Sequence, residues 1–326
     1  MTGPSVATAV AAGLPTVAEA MAAARAVTRA RAKNFYYGLR LTPEPKRSAL
    51  YAVYAWTRML DDAVDGDDPE AVGDAAGRLG VLEQATELTM EGRVEEAYEL
   101  TPSPAWVALG SVLERYPVRA EWMREMIAGM RQDLGHAPMR DVEEFEAYCY
   151  RVASTVGLIC VSIWGLAPGV DAAEADALAI ERGLAFQWTN VLRDFDEDFD
   201  DEPRRVYVPA SLFEEAGLTP ADLRDWRDPA ACEAFVNRLV GIARERYERS
   251  APLDEMVDVS CRPTLWAMTR IYRGLLEQIA QSPRLVVHGR ARLSKARKAS
   301  IALRAWAQGV GGGGGASSSN GAGNGM

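Results

Sequence analysis

Two carboxylates and two amides occupy one face of a helix predicted near the middle of the chain. Gln187, Asn190, Asp194 and Asp198 are separated by three, four and four residues, so they form one stripe at the helical period. Like charges four residues apart destabilise a helix by a few tenths of a kcal/mol, and a hard divalent cation held by carboxylates and substrate phosphates relieves that repulsion. For an isolated pair, an acidic helix end in solvent is the alternative interpretation.

A second acidic helix end lies upstream, in the string DDAVD. Asp61 and Asp65 are four residues apart, with Asp62 between them, at the end of an apolar and aromatic-rich predicted helix. Each acidic string follows an arginine, Arg58 or Arg193, whose guanidinium group suits an anion. Two such helices facing one another would enclose a pocket with metal ions at its rim and arginines for an anion. This arrangement suits the ionisation of a diphosphate ester, because metal ions and arginines neutralise the departing charge.

The types of the candidate ligands indicate which ion and which walls such a pocket needs. All six ligands carry hard oxygen donors, which favours Mg²⁺, with Mn²⁺ as an alternative. These candidate metal ligands are Asp61, Asp62, Asp65, Asn190, Asp194 and Asp198. A carbocation formed in the pocket must be kept from water by apolar and aromatic walls, for which Tyr54, Val152 and Phe186 are candidates.

A long helix predicted over residues 141–164 carries a run of small side chains. They are Val152, Ala153, Ser154, Val156 and Gly157. A glycine inside a helix costs about 1 kcal/mol relative to alanine, so such a run indicates a wall where something else needs room. Either a neighbouring helix packs closely against it or an apolar substrate chain lies along it, and the residues alone leave both interpretations open.

The chain of 326 residues is predicted to form one all-α domain. Period-two alternation is rare and no linker-like composition interrupts residues 33–305, so we expect a single-domain helical bundle with a central cavity. The predicted domain covers residues 16–306, with a disordered N-terminus over 1–15 and a disordered Gly/Ser tail over 309–326. The formal charge of −10 argues against nucleic acid as a partner. Four separated cysteines and two distant histidines fit buried thiols rather than a zinc site.

Apolar runs and termini bear on the cellular compartment. No apolar run reaches the roughly 20 residues that span a bilayer, and the N-terminus lacks a basic signal-peptide region, so we expect a cytoplasmic protein. The C-terminal helix is basic and amphipathic, with Lys298 and Arg304 interleaved with Leu303 and Trp306. Such a helix can lie peripherally on the anionic inner face of a membrane. An ordinary surface helix with extended Lys and Arg stems is the alternative.

Four ordered motifs together resemble the squalene and phytoene synthases. They are FYYGLRL from Phe35, DDAVD from Asp61, YCYRVASTVG from Tyr148 and QWTNVLRDFDED from Gln187. The likeness runs from about Lys33 to about Lys298, and four motifs in order are far more specific than one pair of Asp residues. The resemblance implies an isoprenoid-synthase-like bundle whose acidic pairs bind metal ions and whose substrates are prenyl diphosphates.

The resemblance also implies roles for individual residues. Tyr148 matches a tyrosine that assists chemistry beside the leaving group, and Arg205 and Tyr207 match a segment that closes over the diphosphate. The implied catalytic set is Tyr148, Arg58, Asp61, Asp65, Asp194 and Asp198. The implied substrate-binding set is Tyr54, Val152, Ala153, Gly157, Gln187, Asn190, Arg193, Arg205, Tyr207, Tyr272 and Arg290. Ser154 and Asn34 depart from the Gly and Ser that many members carry there, which leaves prenyl chain length open.

The reaction implied by the resemblance is a head-to-head condensation of two prenyl diphosphates with Mg²⁺-dependent release of pyrophosphate. A cyclopropylcarbinyl diphosphate forms first and then rearranges, to phytoene by proton loss or to squalene by reduction. Conversion of geranylgeranyl diphosphate to phytoene is the main prediction. Conversion of farnesyl diphosphate to presqualene diphosphate or squalene is the alternative, and only squalene would require NADPH.

Other functions fit parts of the same sequence. A head-to-tail prenyltransferase or terpene cyclase would share the bundle and DDAVD, but YCYRVAS and the stripe from Gln187 to Asp198 fit head-to-head synthases. A calcium-binding loop starting at Asp194 fails, because it would have Phe199 and Arg205 where Gly and Glu are required. A non-catalytic helical scaffold predicts no Mg²⁺-dependent release of pyrophosphate.

Overall fold

The computed structural model describes residues 13–32, 35–65, 74–135, 137–202 and 204–312. In these ranges the chain folds into sixteen α-helices, and the only strand-like pairing is an isolated antiparallel bridge between Leu166 and Val257. The helices are α1 (Val17–Arg31), α2 (Phe35–Leu39), α3 (Lys46–Asp65), α4 (Ala75–Met90), α5 (Val94–Leu100), α6 (Pro104–Arg115), α7 (Ala120–Gly135), α8 (Val142–Cys149), α9 (Thr155–Trp164), α10 (Ala172–Asp200), α11 (Ala210–Ala216), α12 (Pro220–Arg224), α13 (Pro229–Arg249), α14 (Leu253–Met256), α15 (Arg262–Gln281) and α16 (Lys295–Gly312). A π-helical turn (Tyr150–Ser154) joins α8 to α9, and a 3-10 turn (Pro283–Val286) follows α15. The predicted all-α, single-domain class is confirmed.

Short-range signals define several helix ends. Thr16 caps α1 in a capping box with Glu19, and Asp171 caps α10 by accepting a hydrogen bond from the Glu174 N–H at 2.9 Å. Proline occupies the first turn of α6, α12, α13 and α15, where its missing N–H costs nothing. Gly217, with φ +65°, adopts the left-handed conformation that ends α11.

Helix α10, 29 residues long, organises the interior. It packs against α9, α13, α15 and the π-helical turn, while α3 and α7 contact one another and each contact α9. Trp188, the residue after Gln187, is fully buried and packs edge-on against Phe145 with ring centroids 4.4 Å apart. Burial of a large side chain of this kind stabilises the fold by roughly 1.5–3 kcal/mol. One face of α10 is therefore anchored in the core, which leaves the adjacent face free to line a cavity.

Small residues allow α10 to approach the π-helical turn and α9 closely. A Cβ atom on Gly183 would lie 2.4 Å from Ser154 Cα, and one on Gly157 would lie 3.3 Å from the Ala179 carbonyl oxygen. Ser154 is fully buried and its hydroxyl donates to the Ile180 carbonyl oxygen at 2.9 Å. Ser154 therefore belongs to a helix–helix contact. Asn34, the other departure, lies outside the described residues.

The expectation that no helix is long and apolar enough to span a bilayer is corrected by the structure. Val142–Trp164 forms a helix of 23 residues that passes this test by length and composition. The helix packs against α7 and α10 inside the bundle, so its apolar character belongs to the protein core.

The observed helices can also be compared with the boundaries predicted near the two ends of the chain. Helix α16 continues to Gly312, into the segment predicted to be a disordered tail from residue 309. The basic C-terminal helix begins at Lys295, and Arg290 lies in the segment before it. The predicted disorder of residues 1–12 and 313–326 lies outside the described residues.

Candidate active site

Two adjoining cavities lie among α3, α7, α9 and α10. The first, here called the polar chamber, has a volume of about 380 Å³, and the second, here called the apolar tunnel, about 230 Å³. Five residues line both cavities, namely Asp61, Met130, Val152, Gln187 and Asn190. The polar chamber is further lined by Val64, Asp133, Tyr148, Val191, Arg193, Asp194, Asp198, Arg205 and Tyr207. A ligand with a charged head and an apolar tail would fit across the shared wall.

The predicted stripe on α10 faces the polar chamber. Gln187, Asn190, Asp194 and Asp198 line it from one side, and Asp61 lines it from the end of α3. Asp65 belongs to the last turn of α3, but its side chain is not among the described ones. Within the described ranges, no three His, Cys, Asp or Glu side chains are gathered into a preformed metal site. The carboxylates instead lie on two walls of the polar chamber. Phosphate oxygens of a substrate bound between these walls would complete the coordination of an ion.

Two arginines neutralise Asp194. The Arg193 Nε donates to Asp194 Oδ1 at 2.8 Å and its Nη2 bonds Oδ2. Arg290 Nη2 lies 2.5 Å from Asp194 Oδ1, and its Nη1 lies 2.6 Å from Glu197 Oε2. The Asp194 side chain is only 17% exposed, so this neutralisation occurs with little screening by solvent. Arg290 thus reaches the chamber rim from the loop before α16, 96 residues after Asp194 in the chain.

Two features of the α10 wall fit a divalent cation. Burial and the neighbouring charge of Asp194 raise the pKa of Asp198 to about 7. The Asn190 Nδ2 donates to Gln187 Oε1 at 3.2 Å, whereas its buried Oδ1 accepts no hydrogen bond from any residue in the described ranges. An acceptor oxygen without a donor, one turn from two crowded carboxylates, is the kind of donor set that Mg²⁺ prefers.

Arg58 and Asp62 bond one another beside the polar chamber, and their predicted roles stay predictions. The Arg58 guanidinium bonds Asp62 Oδ1 and lies 3.9 Å from Asp61 Oδ2, and Arg31 also donates to Asp62 Oδ1 at 2.9 Å. Neither Arg58 nor Asp62 lines the chamber. Successive residues of a helix point about 100° apart, so Asp61 faces the chamber while Asp62 faces solvent. Asp62 therefore points toward solvent, and the Arg58 guanidinium contacts both Asp61 and Asp62.

Two tyrosines and one aspartate form a cluster on the chamber wall opposite α10. The hydroxyl of Tyr148 donates to Asp133 Oδ2 and that of Tyr207 donates to Asp133 Oδ1, each at 3.2 Å. The two rings stack with centroids 5.3 Å apart and an angle of 16° between their planes. Burial, the Asp133 charge and the neighbouring tyrosine raise the pKa of Tyr148 well above its ordinary value, so its hydroxyl stays protonated.

The segment RRVYVP folds back over the end of α10. The Arg205 N–H donates to the Asp198 carbonyl oxygen at 2.8 Å, and the Ala210 N–H donates to the Met139 carbonyl oxygen at 2.9 Å. These bonds hold Arg205 and Tyr207 in the chamber wall, where both line the cavity.

Tyr272 lies behind the chamber rather than in its lining. Its ring is buried and stacks on Phe186 with centroids 4.5 Å apart. Its hydroxyl bonds Arg193, and burial raises its pKa to about 12. Tyr272 therefore supports Arg193 from behind, while Phe186 lines the apolar tunnel as predicted.

The apolar tunnel follows one stripe of α9 and the π-helical turn away from the chamber. Val152, Ala153, Gly157, Cys160 and Trp164 line it at helical spacing, spanning about 18 Å at 1.5 Å per residue. Tyr54 lines it from α3. The run of small residues thus serves both interpretations left open by the sequence, because Gly157 lines the tunnel and also approaches α10 closely.

Three charged residues in or near these cavities have no role in the predicted set. Asp133 joins the two tyrosines, and this contact cannot be read from helical spacing, because Asp133 lies on α7 and Tyr148 on α8. Lys298 on α16 has its pKa lowered by partial burial and by the Arg193 charge, which places it near the chamber arginines. Arg182 lines the tunnel but is neutralised by Asp254 at 2.9 Å. The string GMRQD, which ends in Asp133, is the local sequence feature that could have drawn attention to one of these three residues.

An all-α bundle with an acidic, arginine-bearing chamber above an apolar tunnel defines the class of prenyl diphosphate-using enzymes. Comparison with known proteins agrees with this class. Residues 28–297 match the family model described as squalene/phytoene synthase. The chain is 34% identical over 295 residues to a phytoene synthase of Mycobacterium tuberculosis, covering 87% of this chain and 89% of the relative. It is 32% identical over 298 residues to a 15-cis-phytoene synthase of Synechocystis, covering 89% and 85% of the two chains.

Solved structures show the same fold. A dehydrosqualene synthase bound to a ligand superposes with a TM-score of 0.75 at 25% identity, covering 90% of this chain and 97% of that one. A squalene synthase of Alicyclobacillus acidocaldarius superposes with a TM-score of 0.71 at 23% identity, covering 81% and 94%. The chain belongs to the squalene/phytoene synthase family and is a prenyltransferase.

Proposed function

We propose that this enzyme condenses two molecules of geranylgeranyl diphosphate head to head to give phytoene and two pyrophosphates. The observation that carries the proposal is the shared wall between a polar chamber and an apolar tunnel, since it seats a diphosphate and its prenyl chain together. The names of the curated relatives support the product, because those at 32–34% identity are phytoene synthases. The stripe along the tunnel spans about 18 Å, comparable with the roughly 19 Å of an extended 16-carbon main chain.

The residues of the chamber divide the work of ionising an allylic diphosphate. Arg193, Arg205 and Arg290 would bind the diphosphate, and the neutral Tyr148 and Tyr207 hydroxyls lie on the opposite wall. Phe186 and Tyr54 border the tunnel, where their rings would stabilise an allylic cation and exclude water.

We infer that Asp61, Asn190, Asp194 and Asp198 hold Mg²⁺ together with the substrate, with Asp65 as a further ligand and Mn²⁺ as a substitute. When bound, the ions supply the positive charge that makes pyrophosphate a good leaving group. The separation of Asp61 and Asp194 on facing walls supports this assignment, because a diphosphate between them would share ions with both. Formation of phytoene ends in proton loss and needs no reductant, so NADPH is not required.

Product analysis with the purified enzyme tests the proposal. The enzyme is incubated with Mg²⁺ and either geranylgeranyl or farnesyl diphosphate, with and without NADPH, and products are identified by mass. The expected result is a C40 hydrocarbon from geranylgeranyl diphosphate, independent of NADPH. A C30 product formed faster from farnesyl diphosphate, or a head-to-tail diphosphate product, would overturn it.

We also propose that α16 rests on the inner face of the cytoplasmic membrane, where an apolar product would be released. Leu303 and Trp306 are 65% and 58% exposed, and Arg304 lies between them on the exposed side of the helix. Co-sedimentation with vesicles tests this: binding to anionic vesicles should be lost in the Leu303→Ser/Trp306→Ser double variant. Equal binding of both proteins would contradict it.

A further inference from the structure

Basic residues of this acidic protein are concentrated in two segments far apart in the chain. The chain has 36 Lys or Arg and 46 Asp or Glu residues. Residues 25–47 hold seven of the basic residues and one acidic residue, and residues 284–304 hold seven and none. The rest of the chain is left with 22 basic and 45 acidic residues. Most of the protein therefore repels an anion, whereas these two segments attract one.

The fold brings the two basic segments side by side. Helix α2 packs against α16, and α1 packs against α3, whose last turns line the polar chamber. Burial raises the pKa of Tyr51 on α3, and three nearby positive charges oppose this rise. These charges belong to Arg47, Arg25 and Arg40, so arginines from α1, from α3 and from the residue after α2 surround one point.

Seven cations on this side of the molecule are exposed and form no ion pair with a carboxylate of the described ranges. They are Arg25, Arg29, Arg40, Arg292, Lys295, Arg297 and Arg304, here called the basic face. Exposed arginines in other parts of the fold, such as Arg93 and Arg249, are paired with Glu96 and Glu245. Because no adjacent carboxylate cancels them, the charges of the basic face act on ions in the surrounding solvent.

Both parts of the basic face lead to the polar chamber. On one side Arg31, in the last turn of α1, donates to Asp62 Oδ1 at 2.9 Å, and Asp62 follows the chamber residue Asp61. On the other side Arg290, just before α16, lies 2.5 Å from Asp194 Oδ1. An anion attracted to the basic face would therefore be next to the chamber in which a diphosphate is proposed to bind.

We infer that the basic face captures the diphosphate group of the incoming prenyl diphosphate and guides it to the polar chamber. A prenyl diphosphate is a multiply charged anion, which an acidic protein repels except where exposed cations reverse the local potential. Such steering raises association rates by about 10- to 1,000-fold and weakens as salt is added. The chemical step is unaffected, because no residue of the basic face lines the chamber or the tunnel. This inference rests on the proposed use of prenyl diphosphates and holds for any prenyl chain length.

Association kinetics test the capture. Geranylgeranyl and farnesyl diphosphate are each mixed with protein and Mg²⁺ in a stopped-flow instrument, without lipid, at salt concentrations from about 10 mM to 1 M. Trp164 lines the apolar tunnel, so quenching of tryptophan fluorescence reports binding and gives the association rate constant. The test variant is Arg25→Gln/Arg29→Gln/Arg40→Gln, which leaves α16 and its proposed membrane contact intact.

A second triple variant controls for net charge. Arg93→Gln/Arg227→Gln/Arg249→Gln lowers the net charge by the same amount, but at arginines that are paired with carboxylates outside the basic face. At about 10 mM salt the test variant should associate about tenfold more slowly than wild type, with kcat unchanged. The difference should vanish near 1 M salt, where the Debye length is about 3 Å. The control variant should stay within about twofold of wild type throughout.

Each outcome supports or overturns the capture. Equal association rates for wild type and the test variant at low salt would overturn it, and so would equal slowing in both triple variants. Slowing that persists at 1 M salt would also overturn it, because damage to the fold or the chamber is not screened by salt. Normal association with lost binding to anionic vesicles would make the basic face a lipid-docking surface instead. If the product proves to be C30, the proposed product fails while the capture stands, because both diphosphates are measured.

Discussion

Arg290 Nη2 lies 2.5 Å from Asp194 Oδ1, so a cation from the loop before α16 occupies the carboxylate that faces the polar chamber. The same guanidinium also holds Glu197 at 2.6 Å. A cation and a guanidinium would compete for this carboxylate, so we expect Arg290 to leave Asp194 when Mg²⁺ binds together with a diphosphate.

The ion pair between Arg290 and Asp194 predicts that Arg290→Gln has opposite effects on metal binding and on substrate binding. In Arg290→Gln, Mg²⁺ without substrate should bind more tightly, because a competitor for Asp194 is gone, whereas KM for the prenyl diphosphate should rise about tenfold or more. Isothermal titration and steady-state kinetics measure the two effects. Arg224→Gln, which removes a similar pair with Asp200 at the end of the same helix, is the control. Weaker binding of Mg²⁺ alone in Arg290→Gln would contradict the competition.

The facing carboxylates predict a loss of catalysis without a loss of fold. Asp61→Asn and Asp194→Asn should each lower the rate of pyrophosphate release by about 100-fold or more, because each removes charge that neutralises the leaving group. Circular dichroism should be unchanged. Asp62→Asn, on the solvent side of the same helix turn, should keep its rate within about threefold. Full activity in both chamber variants would remove the proposed chemistry.

The raised pKa of Asp198 predicts how the stability of the metal-free protein depends on pH. Its folded-state pKa of about 7 lies above the roughly 3.9 of an unfolded chain, so between these values the folded protein binds more protons and loses stability as pH rises. Asp198→Asn removes this penalty, so its melting temperature relative to wild type should increase from pH 5 to pH 8. Thermal melts at both values without metal check the sign. A difference that is independent of pH would show that the Asp198 carboxyl is not perturbed.

The tunnel predicts a change in preferred chain length. Cys160 lines the tunnel between Gly157 and Trp164, so Cys160→Phe should block its far end. The ratio of kcat/KM for geranylgeranyl over farnesyl diphosphate should fall by about tenfold or more. Ser162→Phe, on a face of α9 that does not line the tunnel, should leave the ratio unchanged. An unchanged ratio in Cys160→Phe would show that the prenyl chain of the substrate does not lie along the apolar tunnel.

The contact between Gly183 and Ser154 predicts that alanine substitutions at two glycines change the stability of the fold in opposite directions. A Cβ on Gly183 would lie 2.4 Å from Ser154 Cα, so Gly183→Ala should destabilise the fold by about 1–3 kcal/mol. Gly241, in α13, has no atom within 4 Å of such a Cβ, and Gly241→Ala should stabilise by up to about 1 kcal/mol. Urea unfolding midpoints measure both changes. A shift of both variants in the same direction would contradict the close packing.

The sequence could predict the relative positions of residues that lie on the same helix. The period of α10 put Gln187, Asn190, Asp194 and Asp198 on one face, and all four line the chamber. Periodicity alone states which residues share a face but not which face meets the cavity, so it could not show that Asp61 lines the chamber while Asp62 does not. The hydrogen bonds of Asp133 could not be read from spacing either, since its partners Tyr148 and Tyr207 lie 15 and 74 residues away.

The sequence by itself determined the helical class, the helix caps and the acidic stripe, because each depends on residues within a few positions of one another. Tertiary structure alone decided that Arg290 meets Asp194, that two tyrosines meet Asp133, and that small residues of α9 border a tunnel while Ser154 packs against α10. These contacts join elements far apart in the chain, and the packing of whole helices, rather than any local spacing, brings them together.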